Sequence, residues 1–208
     1  APHRNPVTCV LAGLDRPLAV CTQAERSEGD LVIIRPGVEH WVEIKGRAKV
    51  LYFDGLEFPL TAALAAPVPR QFVTLAIDAF ASRPGAQEEL RARFSRGRER
   101  CPTAIARAIH AIVHDPMTRM DQGELAERLR LGRTQAMRAF KAVTGMTFRE
   151  FKRWTALCAA TRQIAEGHLV RTAAMDAGFA DTAHLTRTFR TAFGTTPTLA
   201  TADRRFPP

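Results

Sequence analysis

Two stretches in the second half of the chain repeat one another at a constant offset of 49 residues. Arg138, Phe140, Lys141, Gly145 and Thr147 recur as Arg187, Phe189, Arg190, Gly194 and Thr196. Self-similarity at a fixed period means that one supersecondary unit is used twice. Each copy ends on a Gly where a left-handed residue is wanted to stop a helix. Each is also preceded by a short segment of helical pattern that carries a small residue, Ala126 in the first copy and Ala174 in the second. Two helices that cross at the steep angle of a helix-turn-helix approach closely, and a small residue at the crossing makes room for that approach.

The rest of this half fits the same frame. Ile105, Ile109, Ile112 and Val113 share one face of a first helix that must end before Pro116. Asp121 and Glu124 have capping-box spacing and open a short helix with Leu125, Ala126 and Leu129 inward. Residues Arg133 to Val143 form the next helix. Thr147 and Glu150 repeat the capping-box spacing and open a long helix that runs to a stop at Gly167. A short helix from Val170 to Ala177, a turn at Gly178 and a helix from Thr182 to Phe193 capped by Asp181 follow. The long helix, taken from Phe148 to Glu166, would be about 28 Å at 1.5 Å per residue. A rod of that length can hold two reading helices near the roughly 34 Å of one DNA turn, so that both enter successive major grooves from one side.

Charge supports a polyanionic partner for this half. The chain carries a formal net charge of +9. Residues 1–100 hold 14 Lys and Arg against 12 Asp and Glu, while residues 101–208 hold 16 against 9. The basic character therefore belongs to the helical half. No apolar run is long enough to span a bilayer and no signal-peptide pattern opens the chain, so a cytoplasmic protein with no membrane partner is expected. Cys9, Cys21, Cys101 and Cys158 are scattered, which signals neither a disulfide framework nor a thiolate zinc site.

The first half reads differently. Val7 to Leu11, Leu18 to Cys21, Leu31 to Ile34, His40 to Ile44 and Val50 to Phe53 are short apolar or alternating runs. Gly13, Gly29, Pro36-Gly37 and Gly46 punctuate them as turns, which predicts a small antiparallel sheet or partial barrel. Helical pattern then appears over Leu56 to Ala65 and Gln71 to Ala81, and residues 86–100 read as a charged, Arg-rich helix or linker. The expected fold class is α+β: a compact β-rich unit with its following helices over 1–80, a linker helix or hinge over 81–100, and an all-α unit over 101–208.

The run from Asp121 to Gly145 resembles the first helix-turn-helix of the AraC/XylS family of transcription regulators. Ala173-Ala174, Gly178-Phe179, Leu185, Arg187, Phe189-Arg190, Phe193-Gly194 and Pro197 resemble the second. The likeness covers residues 103–203. Gly132 stands where the family usually has a capping Ser, Ala136 where it has Leu, and Ala156 where the linker helix carries Arg. In the first half, Gly29, Pro36-Gly37 and His40 resemble the second motif of cupin barrels, and the stretch through Asp54 is similar to the sensor domains of many such regulators.

The resemblance implies a sequence-specific, effector-responsive transcription regulator. It implies that Arg133, Thr134, Met137 and Arg138 in the first reading helix face DNA bases, and that Thr182, Ala183, His184 and Arg187 do so in the second. An Arg can donate two hydrogen bonds to guanine O6 and N7, which makes Arg138 and Arg187 the leading base readers. Lys141, Arg149, Lys152, Arg153, Arg171 and Arg190 are placed to neutralise phosphate, which supplies affinity and salt dependence without sequence information. His40, Trp41 and Phe53 are the residues expected to line an effector pocket. Double-stranded DNA is the expected partner, with RNA polymerase as a protein partner and a small-molecule effector and a second copy of the chain as further ones.

The rival reading is a cupin-type enzyme or a DNA-repair protein anchored by an AraC-like domain. Metal-dependent cupin chemistry needs several convergent ligands, usually with a His-x-His pair, and no such pair precedes His40. Repair methyltransferases of this kind need a cysteine cluster, whereas Cys9 and Cys21 stand 12 positions apart. Neither catalytic residues, a metal nor a cofactor is therefore expected.

Overall fold

The computed structural model describes residues 1–53, 65–68, 70–94, 102–115, 117–118 and 120–201. The chain divides into two compact units, Ala1–Arg98 and Glu99–Pro208. Among the described residues the first is β-rich with two helices and the second is helical, an α+β organisation. No helix among the described residues is long and apolar enough to cross a membrane.

Among its described residues the first unit has eight strands: β1 (His3–Arg4), β2 (Thr8–Gly13), β3 (Leu18–Cys21), β4 (Arg26–Gly29), β5 (Leu31–Ile34), β6 (Glu39–Glu43), β7 (Ala48–Phe53) and β8 (Ala65–Pro67). They form two antiparallel four-stranded sheets with orders β1-β6-β3-β4 and β7-β2-β5-β8. Side chains alternate faces along a strand, and β2 and β5 bury both of theirs. Cys9, Leu11, Val32 and Ile34 pack with Leu18 and Val20 of β3, forming a core between the sheets. Val10, Ala12, Leu31 and Ile33 point the other way, onto Ala76 and Ala79 of α1 (Arg70–Phe80) and Ala86 and Leu90 of α2 (Ala86–Phe94). A strand buried on both faces reads as a continuous apolar run, as LVII of β5 does. Helix α2, which falls within the stretch expected as linker, thus contributes Ala86 and Leu90 to the core of this unit. Pro67 lies in β8 at the edge of its sheet, where a residue without an N–H is tolerated.

Three strands escape the sequence pattern. β1 has two residues, β4 fully buries neither face (RSEG), and β8 consists of Ala-Ala-Pro. None has an apolar alternation to betray it. The helix expected from Leu56 lies outside the described residues as far as residue 64, and Ala65 opens β8.

The second unit holds α3 (Thr103–His114), α4 (Gln122–Leu129), α5 (Arg133–Thr144), α6 (Phe148–Ala165), α7 (Val170–Asp176), α8 (Thr182–Phe193) and α9 (Pro197–Thr201). Capping fixes these boundaries. Asp121 accepts the Glu124 amide at 2.8 Å. Thr147 and Glu150 make a full capping box. At 121 the box is half formed, because the Glu124 carboxylate turns to Arg128 instead, 2.6 Å away. Gly145 and Gly194 end α5 and α8 at φ of +74° and +70°, the left-handed geometry that Gly adopts without steric cost. The turn after α4 uses Arg130 at φ +52°, a position no glycine marks.

The core of this unit converges on α6. Phe140 of α5, fully buried, meets Phe148 and Phe151 edge-on at 5.3 and 5.4 Å. Trp154, one turn later, lies 5.9 Å from Phe193 of α8, and Phe193 in turn packs on Phe189 at 4.5 Å. The two repeated helices are thereby braced on the same central rod, whose 18 residues correspond to about 27 Å.

Candidate nucleic-acid interface

Both repeated pairs form helix-turn-helix units, α4–α5 and α7–α8. Ala126 and Ala174 are buried, as close helix approach requires. Within α5, Ala136 and Phe140 face inward while Arg133, Thr134 and Arg138 are exposed and Met137 is half-buried. Within α8, Leu185, Phe189 and Ala192 face inward while Ala183, His184 and Arg187 are exposed and Thr182 is half-buried. All eight expected base readers therefore retain solvent access.

Their local partners differ. Among the described residues neither Arg138 nor Arg187 has an ion-pair partner, so both guanidinium forks are available to a ligand. Arg133 is held: its Nε donates to Gln122 Oε1 at 3.1 Å, joining the first residue of α5 to the first residue of α4. Gln122 carries no periodic or motif signal in the sequence. Its role follows from the turn that brings two helix N-termini together. His184 sets its ring edge-on to Phe179 at 5.2 Å, and its backbone N–H caps onto Asp181 at 2.6 Å.

Of the six expected phosphate contacts, Lys141, Arg149, Arg153, Arg171 and Arg190 are exposed. Lys152 is half-buried and otherwise engaged, since its ammonium donates to the carbonyls of Thr118 and Met120 at 2.8 and 2.9 Å. It also sits 5.9 Å from the Phe148 ring centre. Lys152 thus straps the segment before α4 to the second turn of α6. A cavity of about 390 Å³ opens beside it, lined by Met120, Asp121, Gln122, Arg133, Phe148, Arg149 and Lys152. Hydrogen bonds from the backbone N–H groups of Glu124 and Gly123 hold the Asp121 carboxyl below its ordinary range. The cavity wall therefore combines three cations with one capping carboxylate.

The residues expected to line an effector pocket are separately placed in the β unit. His40 is fully buried, with Nδ1 2.8 Å from the Val38 carbonyl and Nε2 3.3 Å from Asn5 Nδ2. The His3 ring lies 4.4 Å away, and burial pushes the pKa of His40 below its ordinary value. Trp41 is half-buried on β6, opposite Cys21 of β3. Phe53 ends β7 in register with Thr8, and its side chain lies outside the described residues. Among the described residues no group of three or more His, Cys, Asp or Glu is placed to hold a metal ion.

Residues 125–201 match a family model described as a helix-turn-helix domain. No curated protein sequence matches the chain. Among solved structures, ToxT from Vibrio cholerae is similar over 96% of this chain and 91% of its own, at 10% identity and a TM-score of 0.59. ToxT bound to (E)-4-(8-methylnaphthalen-1-yl)but-3-enoic acid is similar over the same shares, at 9% identity and a TM-score of 0.62. The C-terminal domain of AraT, a response regulator from Geobacillus stearothermophilus, aligns with 52% of this chain and 92% of its own, at 18% identity and a TM-score of 0.46. At these identities the likeness to ToxT is one of fold.

Proposed function

We propose that this chain is a DNA-binding transcriptional regulator of the AraC/XylS type, and that it reads two successive major grooves of one duplex with α5 and α8. The observation that carries the reading is the duplicated outward face: Arg138 and Arg187 stand without ion-pair partners among the described residues, each two positions before a buried Phe, Phe140 or Phe189. A helix docked by its aromatic side and polar on the other is the form that enters a major groove. In this reading Arg133, Thr134, Met137 and Arg138 contact one subsite, and Thr182, Ala183, His184 and Arg187 contact the other. Lys141, Arg149, Arg153, Arg171 and Arg190 bind backbone phosphates, and the sixth cation, Lys152, shares its ammonium between a phosphate and the Thr118 and Met120 carbonyls.

The first unit is the proposed sensor. ToxT, similar in fold over 96% of this chain, has been solved with an organic acid bound. That likeness supports a small-molecule effector in the β unit, with His40, Trp41 and Phe53 as its proposed contacts. RNA polymerase and a second copy of the chain are the proposed protein partners, and the cytoplasm is the proposed location.

Selection of bound sequences from a random duplex pool tests the reading directly. The expected outcome is an asymmetric site with two preferred subsites about one helical turn, roughly 10 base pairs, apart. A single preferred subsite, or none, would refute two-groove reading.

A further inference from the structure

Helix α3 carries a pair of side chains that the DNA reading leaves unused. His110 and His114 stand four positions apart, which on an α-helix places them one above the other. Their rings are stacked, with centroids 3.8 Å apart and planes 16° from parallel. Both residues are exposed. They lie on the side of α3 opposite Ile105, Ala108 and Ile112, the residues this helix buries.

The ring chemistry suits a shared ligand. His114 Nδ1 lies 3.0 Å from the His110 carbonyl oxygen. In the tautomer that donates this hydrogen bond, the lone pair falls on Nε2, which faces away from the backbone. A hydrogen bond from one ring nitrogen that leaves the other free to coordinate is the arrangement seen in metal-ligating histidines. Imidazole nitrogens bind Zn²⁺ at about 2.0 to 2.1 Å, so two nitrogens on one ion lie no more than about 4.2 Å apart. In the stacked arrangement the two ring planes run side by side, so a turn of the exposed rings about their side-chain bonds is what brings both nitrogens onto one ion. The same spacing of two His on one helical face provides two of the zinc ligands in helical metalloprotease motifs.

We propose that His110 and His114 form a two-imidazole chelate for a divalent transition-metal ion, Cu²⁺, Ni²⁺ or Zn²⁺, on the outer face of α3. Water completes the coordination, because among the described residues no third His, Cys, Asp or Glu joins the pair. The adjacent Asp115 carboxylate is already engaged, accepting the Met117 amide at 3.0 Å. Imidazole is a ligand of borderline softness that suits these metals and discriminates against Mg²⁺ and Ca²⁺. The bound ion clamps the last turn of α3, and because it binds only the folded helix it stabilises the helical unit by mass action.

The test is a titration of the full chain with CuCl2 at neutral pH, read by calorimetry and by the nitrogen hyperfine pattern of the Cu²⁺ electron-spin resonance spectrum. The wild-type chain is expected to take one tightest Cu²⁺ with two nitrogens coupled to it. His110→Ala and His114→Ala should each weaken that site at least tenfold and remove one nitrogen. A double variant, His114→Ala with Asp115→His, keeps the number of histidines but moves one round the helix, and should bind as poorly as His114→Ala alone. Because both histidines are exposed, circular dichroism should confirm that all three variants fold. Affinity within twofold of wild type in His110→Ala and His114→Ala, or recovery of tight binding in the double variant, would overturn the proposal. The first outcome would place the ion on other histidines, and the second would show that face geometry is irrelevant.

Discussion

Asp181 and Gly132 occupy the same N-cap position in the two repeated units, and only Asp181 bonds to its helix. Its carboxylate accepts the His184 amide at 2.6 Å, while α5 begins at Gly132 without a side-chain cap. Gly132 sits at φ −62° and ψ 149°, which any residue adopts, and a Cβ there would come no closer than 3.8 Å to Gln135 Oε1. Gly132→Ser should therefore add a capping oxygen and remove unfolded-state freedom, raising stability by about 0.5 to 1 kcal/mol. Urea denaturation should show a higher midpoint with an unchanged slope. A lower midpoint would mean that the turn between α4 and α5 needs Gly for a reason other than its dihedral angles.

Arg187 and Arg153 test the proposed division between reading and anchoring. Arg187 projects from the second turn of α8 and Arg153 from the second turn of α6, and both are exposed. Replacing Arg187 by Ala should cost about 1 to 3 kcal/mol on the preferred site and relax base preference at one position. Replacing Arg153 by Ala should weaken all duplexes alike and make the slope of log affinity against log salt shallower by about 0.9. Binding measured on the preferred and a scrambled duplex across a salt series distinguishes them. Uniform weakening by both variants would contradict the division of roles.

Much of this organisation was legible in the sequence because the chain states it twice. The offset between Arg138-x-Phe140 and Arg187-x-Phe189 marks the repeat, and Gly145, Gly194, Asp181 and the Thr147–Glu150 pair set helix ends that the structure reproduces to within a residue or two. What stayed hidden lacks local periodicity. β4 pairs with β3 although neither of its faces is apolar, so its existence depends on a partner strand rather than on its own pattern. The Gln122–Arg133 contact and the Lys152 strap join residues 11 and over 30 positions apart, and only the packing of α4, α5 and α6 brings them together. Basic side chains pose the same problem. A Lys that bonds carbonyls and a Lys that awaits phosphate are indistinguishable until the surrounding backbone is placed.

His40 and His3 predict how stability should depend on pH. Both have their pKa values lowered from 6.5, with burial as the main cause. In the unfolded chain each would titrate near 6.5, so below that pH the unfolded state binds protons that the folded state refuses. Stability is then fully present above about pH 6.5 and falls as pH drops through that value towards the folded pKa values, by at most about 1.4 kcal/mol per pH unit for each proton. Denaturation curves at pH 5.5 and 7.5 should show this loss, and His40→Gln should shrink the difference between the two even though it lowers stability at both. An unchanged difference in that variant would assign the pH dependence to other groups.

Lys152 offers the sharpest separation of a structural from a nucleic-acid role. Two of its three N–H donors are used on Thr118 and Met120, carbonyls of the segment that leads into α4, from a half-buried position on α6. Hydrogen bonds from a charged donor contribute about 1.5 to 3 kcal/mol each when their loss leaves the acceptor without a partner, and less where water can replace the donor. Lys152→Met keeps the aliphatic stem against Phe148 while removing both bonds, so a loss of about 1 to 3 kcal/mol in folding stability is expected. The salt dependence of DNA binding, measured well below the unfolding midpoint, should change by less than it does in Arg153→Ala, because only one donor of Lys152 remains for a phosphate. Unchanged stability with a full loss of about 0.9 from the salt slope would reverse the assignment and make Lys152 a phosphate anchor whose backbone contacts carry no weight.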